Sequence, residues 1–162
     1  MVCCFSEVQS PGPKGRGFCF FICAYLSPMQ EPFIPEGYQQ CMPYLILPGA
    51  DRFFSFMETV FGAEEKMRHL TPEGTLAHGE LRVGASVFMY SEASEQWGAQ
   101  PGGFFIYVQD ADASFAKAIA AGGTAVMDPA DQPYGRSGGV KDPFGNTWWI
   151  TATQPSIGEA GQ

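Results

Sequence analysis

Basic residues are scarce in this chain. Nine lysines and arginines face seventeen aspartates and glutamates, a formal net charge of −8 over 162 residues. Nucleic acids and anionic membranes both select basic surfaces, and no basic run occurs, so neither kind of partner is expected. Histidine is scarcer still, with only His69 and His78. Cysteine is present but misplaced for structural use: Cys3, Cys4, Cys19, Cys23 and Cys41 form an odd set, clustered at one end. That is no disulfide framework, nothing after Cys41 completes a zinc site, and the usage points to the reducing cytoplasm. Nucleophile elbow, Walker pattern and strand-linked dinucleotide fingerprint are all missing.

A membrane-spanning run is missing as well. The apolar stretch Phe18 to Leu26 covers nine residues, too short for a bilayer. With Lys14 and Arg16 ahead of it, the stretch mimics the apolar region of a secretory signal. The other reading is a start assigned too far upstream, with Met29 as the natural first residue. On either reading residues 1–36 are an atypical extension and stand outside the functional argument.

What is present is a foldable chain. Hydrophobic content of 45% and aromatic content of 14% indicate a globular protein with room for one real core or two repeated halves. Its centre is Thr75 to Tyr90, two alternating runs joined by a tight turn at Gly84-Ala85. That turn pairs Val83 with Ser86, Leu81 with Phe88 and Glu80 with Met89. One face then carries Gly79, Leu81, Val83, Phe88 and Tyr90, which suits a helix-covered core. The other carries His78, Glu80, Arg82, Val87 and Met89, which is either solvent-facing or the wall of a pocket.

The flanking chain reads as a strand from Gln40 to Leu47, then a helix from Ala50 to Phe61 with Phe53, Met57, Val60 and Phe61 at helical spacing. Gly62 stops that helix. A weaker strand runs from Ala63 to Thr71, and Ser91 to Gly102 is a loop containing Trp97. The pattern then repeats. A strand from Phe104 to Val108 leads to a helix from Ala111 to Ala121, with Phe115, Ala118 and Ile119 inward and Gly122-Gly123 as the stop. Strands follow at Thr124 to Met127, Tyr134 to Lys141 and Asn146 to Thr153, and 155–162 is a frayed tail.

At an offset of 61 residues, Leu47 falls on Val108, Ala50-Asp51 on Ala111-Asp112, Phe54 on Phe115, Gly62 on Gly123 and Gly84 on Gly145. This is an internal duplication of a βαβββ unit. It predicts an α+β domain over 37–154, with modules at 37–92 and 103–154. Neither module is large enough to bury its own sheet face. The two are therefore expected to form one curved mixed sheet of eight strands with helices outside and a ligand-sized cup inside.

The order and spacing of Pro43 to Leu47, Phe61 to Glu65, Met67-Arg68, His78 to Gly84, Val108 to Asp112, Asp131 to Gly135, Arg136 to Gly138 and Asp142 to Gly145 resemble the vicinal-oxygen-chelate superfamily. That is the group of glyoxalase I, bleomycin-resistance proteins and extradiol dioxygenases, and the sequence looks most like its PhnB-like branch. The resemblance implies the paired βαβββ fold, often as a homodimer. It also implies a divalent metal held by His, Glu or Gln on four strands. Carried over, those positions are Met42, Met89, Gly103 and Trp149, the last open to a slip to Ile150, and a shift on the first strand offers Gln39. Thioether, glycine and indole do not hold hard cations, so no cofactor is expected. The less favoured alternative is a divalent metal at His78 and Glu80.

The same parity assigns Met42, Tyr44, Phe105, Tyr107 and Trp149 to the cup, with His78, Glu80, Arg82 and Met89 as its polar wall. Glu80 is the candidate general base, its pKa expected to be raised by apolar neighbours, with His78 assisting. The competing reading of that pair is a structural contact at a dimer surface. Tyr134 and Arg136, in a glycine-rich loop, are candidates to close over an anionic ligand. The readings carried forward are a metal-free small-molecule-binding homodimer, a metal-dependent glyoxalase or dioxygenase, and a structural dimer whose cup is filled by side chains.

Overall fold

The computed structural model describes residues 31–153, and the signal-like run, Met29 and the tail expected over 155–162 lie outside that range. Of these, residues 33–153 belong to one compact unit. Its first module is β1 (Tyr44–Leu47), a 3₁₀ turn at Ala50–Arg52, α1 (Phe53–Phe61), β2 (Glu64–Leu70), β3 (Leu76–Val83) and β4 (Ser86–Glu92). The second repeats it as β5 (Gly103–Tyr107), α2 (Ala111–Ala120), β6 (Thr124–Gln132), β7 (Gly135–Lys141) and β8 (Thr147–Ala152). Both modules have the same sheet order, β1-β4-β3-β2 and β5-β8-β7-β6, with the first strand of each running parallel to its last.

The α+β fold of tandem βαβββ modules is therefore as the sequence predicts, with one difference. The eight strands form two separate four-stranded sheets instead of one hydrogen-bonded sheet. The inner faces of both sheets and both helices instead share a single core. From sheet one come Leu45, Leu47, Leu81, Phe88 and Tyr90, and from sheet two Val140, Trp148 and Ile150. Phe104 stacks on Trp148 with centroids 4.7 Å apart, and Phe88 meets Phe104 at 5.4 Å, so aromatic packing joins the modules.

Local rules explain the elements. Phe53, Phe56, Met57 and Val60 recur at helical spacing and are all buried, the stripe that seats α1. The Glu92 carboxylate accepts from the Gly49 and Ala50 amides at 2.8 Å each, satisfying donors where the 3₁₀ turn begins. Asp110 caps α2 by accepting from the Ala113 amide at 2.9 Å. Gly62 ends α1 in the left-handed region at φ 66°. In module two that role falls to Gly122 and not, as the fixed offset implied, to Gly123.

The β3–β4 hairpin has the expected register, with Val83 opposite Ser86, Leu81 opposite Phe88 and Glu80 opposite Met89. Other boundaries move. β1 is shorter than expected because bends over 40–41 and Pro43, which has no amide donor, precede it. β6 continues through Pro129, which sits at a register shift between Met127 and Ala130 where the ladder does not need its donor. Ile119, expected inward, is 37% exposed because α2 buries only Ala111 and Ala118 fully.

Candidate functional site

The outer face of sheet one carries the polar wall, and the residues just before β1 cross it. Gln39 donates from its side-chain amide to the Ala85 carbonyl and accepts from the Val87 amide at 3.0 Å, pinning the segment over the hairpin. Tyr38 then donates from its hydroxyl to Glu80 Oε2 at 2.6 Å. This strap explains why Val87 and Glu80, on the nominally open face, are 1% and 5% exposed.

Glu80 lies at the middle of a chain of contacts. His78 Nε2 lies 3.1 Å from Glu80 Oε1, and Tyr44 Oη lies 3.3 Å from His78 Nδ1. β-strand geometry sets this arrangement. Residues 78 and 80 project from the same face, and Tyr44 and Glu80 both sit across from Met89, on the two strands flanking β4. Lys66 rests 3.6 Å from the Tyr38 ring centroid and donates to the Gly37 carbonyl at 3.1 Å.

The raised pKa expected for Glu80 is overturned. Burial pushes its carboxyl up, but hydrogen bonds from Tyr38 and His78, with the charges of His78 and Lys66, outweigh burial and hold it below its ordinary range. The Tyr38 phenol moves up, chiefly through its bond to the same carboxylate. With Tyr38 on one oxygen, His78 on the other and almost no exposure, this ionised carboxylate is closed off from a ligand.

Beside this wall is a cavity of about 550 Å³, framed by Tyr44, Ile46, Thr75, Leu76, Ala77 and Trp97, with Ser91 to Ser94 along one side. Trp97 is 59% exposed and sits on a loop fixed to β1, since the Gln100 amide donates to the Ile46 carbonyl at 2.8 Å. The Ser94 amide donates to the Trp97 carbonyl, also at 2.8 Å, and tightens that loop. A larger cleft of about 670 Å³ lies between the helix ends and Tyr107. It contains Asp110, whose carboxylate is already used as the α2 cap.

The remaining candidates separate. Phe105, Tyr107 and Tyr134 cluster on sheet two, with Phe105 centroids 5.2 Å from Tyr107 and 6.1 Å from Tyr134. Trp149 shares that face, over Gly139. The cavity beside Tyr44 reaches none of Phe105, Tyr107, Tyr134 and Trp149, and the pocket that holds Phe105 and Tyr107 reaches neither His78 nor Glu80. Arg136 is in β7, not in a loop, and its guanidinium is held by Asp112 and Asp131, so it is not free to clamp an anion. Those pairings raise its pKa further and hold Asp112 below its ordinary value. Arg82, at the far end of the hairpin, bonds Glu64 and the Gly84 carbonyl. Met42 and Met89 are partly buried and lie outside the cavity lining.

The divalent metal implied by the resemblance does not fit these residues. Ile150 is fully buried in the core, which rules out the slip and leaves Trp149 at the carried-over position. Gln39 is engaged by the hairpin backbone, and both Glu80 oxygens are occupied. Among the described residues no three His, Cys, Asp or Glu side chains gather to hold an ion. Sequence reasoning missed Tyr38, because no periodicity signals a strap, and it noted Trp97 without placing it.

Comparison with known proteins agrees with this architecture. The sequence profile of the Glyoxalase/Bleomycin resistance protein/Dioxygenase superfamily matches residues 39–150. An uncharacterised protein of Mycobacterium tuberculosis is 33% identical over 118 residues, covering 65% of this chain and 69% of that protein. TioX from Micromonospora sp. ML1 is 25% identical, with a TM-score of 0.57 over 74% of this chain and 99% of that one. A PhnB protein from Bacillus cereus is 20% identical, with a TM-score of 0.61 over 71% of this chain and all (100%) of that one.

Proposed function

Since this chain belongs to the glyoxalase/bleomycin-resistance/dioxygenase superfamily, we propose that it is a PhnB-like member that binds a small organic molecule on module one without a metal. The observation that carries this reading is the 550 Å³ cavity beside Tyr44. Its volume falls in the range of small-molecule sites, and its lining combines apolar walls with a few hydroxyls. The ligand chemistry that suits Trp97, Leu76 and Ile46 is a flat, largely apolar molecule with one polar group directed at Tyr44.

The aromatic face of sheet two is assigned to a second copy of the chain. Phe105, Tyr107 and Tyr134 are 51%, 67% and 52% exposed, and a contiguous patch of this kind favours burial against a partner. A homodimer in the cytoplasm is the proposed form. No helix among the described residues is long and apolar enough to cross a membrane.

A thermal-shift screen of planar organic molecules against protein prepared without chelator or added metal tests the reading. The expected result is at least one binder at one molecule per chain, with amide shifts centred on Tyr44, Ala77 and Trp97. A binder requiring added divalent metal would overturn the metal-free reading. Shifts confined to Phe105 and Tyr134 would overturn the site.

A further inference from the structure

We propose that Tyr44 is the proton-transferring residue of this site, activated as a base through His78 and Glu80, and that the ligand is a weak organic acid. The proposal rests on the module-one site above but adds chemistry to it. Its basis is the direction of the hydrogen bonds. A carboxylate can only accept, so the ring nitrogen facing Glu80 Oε1 at 3.1 Å, His78 Nε2, carries the proton. In the neutral imidazole Nδ1 then holds the lone pair, and the Tyr44 hydroxyl donates to it across 3.3 Å. The other oxygen of Glu80 is fixed by Tyr38 at 2.6 Å, which keeps the carboxylate aimed at the ring. One end of the chain is therefore locked and buried, while the other, Tyr44, is 49% exposed and lines the cavity.

In the proposed step the ligand's acidic hydrogen, from a phenolic O–H or from carbon beside a carbonyl, passes to Tyr44 Oη. The proton of Oη passes at the same time to His78 Nδ1. A ligand anion and an imidazolium result, and the imidazolium is balanced by Glu80, so no proton or charge is left unassigned. Of these three residues only Tyr44 touches the ligand; His78 takes up the proton through it, and Glu80 is a positioning residue that holds the ring.

The test uses the reactivity of a base-activated phenol and needs no natural ligand. The whole protein is treated with a benzenesulfonyl fluoride: Tyr44 Oη bonds to sulfur, the S–F bond breaks, fluoride leaves and the proton goes to His78. Labelling at each tyrosine is followed by mass spectrometry. Tyr107 and Tyr134, at 67% and 52% exposure, are internal standards of equal or greater access in the single chain. Tyr44 is expected to react at least about tenfold faster than either. His78→Phe, at a partly exposed position that can be checked by its melting curve, is expected to slow labelling of Tyr44 itself by at least about tenfold relative to wild type. Glu80→Gln is expected to reduce it, because the imidazolium loses its counter-charge. Tyr44 reacting no faster than the standards overturns the proposal. So does a Tyr44 rate in His78→Phe equal to that in wild type, which would mean access alone whether or not a second copy shields the standards. Since labelling is independent of the ligand screen, either can fail without the other.

Discussion

The two modules share a backbone register and differ in what they place on it. Tyr44 and Glu80 flank Met89 in module one; at the corresponding places in module two, Phe105 and Gly139 flank Trp149. On the inner faces the same comparison pairs Leu81 with Val140, Phe88 with Trp148 and Tyr90 with Ile150, all buried hydrophobics. Packing thus constrains one side of each sheet to similar chemistry, while the other side has diverged into a wired polar wall and an aromatic patch. Gly139 shows how closely the divergence is fitted, since a Cβ there would lie 2.7 Å from the Trp149 ring.

The connection between the last two strands of each module also differs, and breaking it should give the largest effect. Module one turns in two residues. Module two uses a longer loop whose buried Asp142 accepts from the Phe144 and Asn146 amides, the Asn146 side chain and the Trp148 indole at 2.8–2.9 Å. Asp142→Ala leaves four buried donors without a partner and is expected to cost about 3 kcal/mol or more in urea unfolding. Gly139→Ala, which forces Trp149 off its seat, is expected to cost about 1–3 kcal/mol and to disturb sheet two alone. Gln39→Ala, releasing two hydrogen bonds of the strap, is expected to cost about 1 kcal/mol.

Acid titration sharpens the contrast further. The folded-state pKa of Glu80 is lowered, so its contribution to stability is present above the ordinary carboxylate range and is lost as pH falls through the lowered value. The acid limb of the stability profile should therefore flatten in Glu80→Gln, measured by melting temperature against pH. Smallest of all, a chelator is expected to leave the melting temperature of wild type unchanged, since neither face offers a hard donor set.

Much of this was legible in the sequence. The hairpin register followed from one turn and strict alternation, and it placed Glu80 opposite Met89 correctly. The duplication followed from turn and helix-stop glycines, and parity favoured Trp149 for the open face while leaving a slip to Ile150 that the burial of Ile150 closes. What could not be read depends on contacts far apart in the chain. Nothing local in Tyr38 or Gln39 signals a strap that bonds residues 80, 85 and 87, and the Tyr38 bond joins His78 and Lys66 in reversing the expected direction of the Glu80 pKa. Arg136 looked free in a glycine-rich loop because its partner Asp112 is 24 residues away, on a helix. Periodicity also does not show that the strands form two sheets whose shared core is joined by Phe104 and Trp148.

The account rests on a ligand site in module one, and one affinity measurement tests it most directly. Ala77 is exposed and lines the cavity, so Ala77→Trp fills the space from the outside without disturbing the core. For the tightest molecule found in the screen, the dissociation constant should rise by at least about tenfold, roughly 1.4 kcal/mol, in this variant while its melting curve stays that of wild type. An unchanged dissociation constant in a folded Ala77→Trp protein would contradict the site.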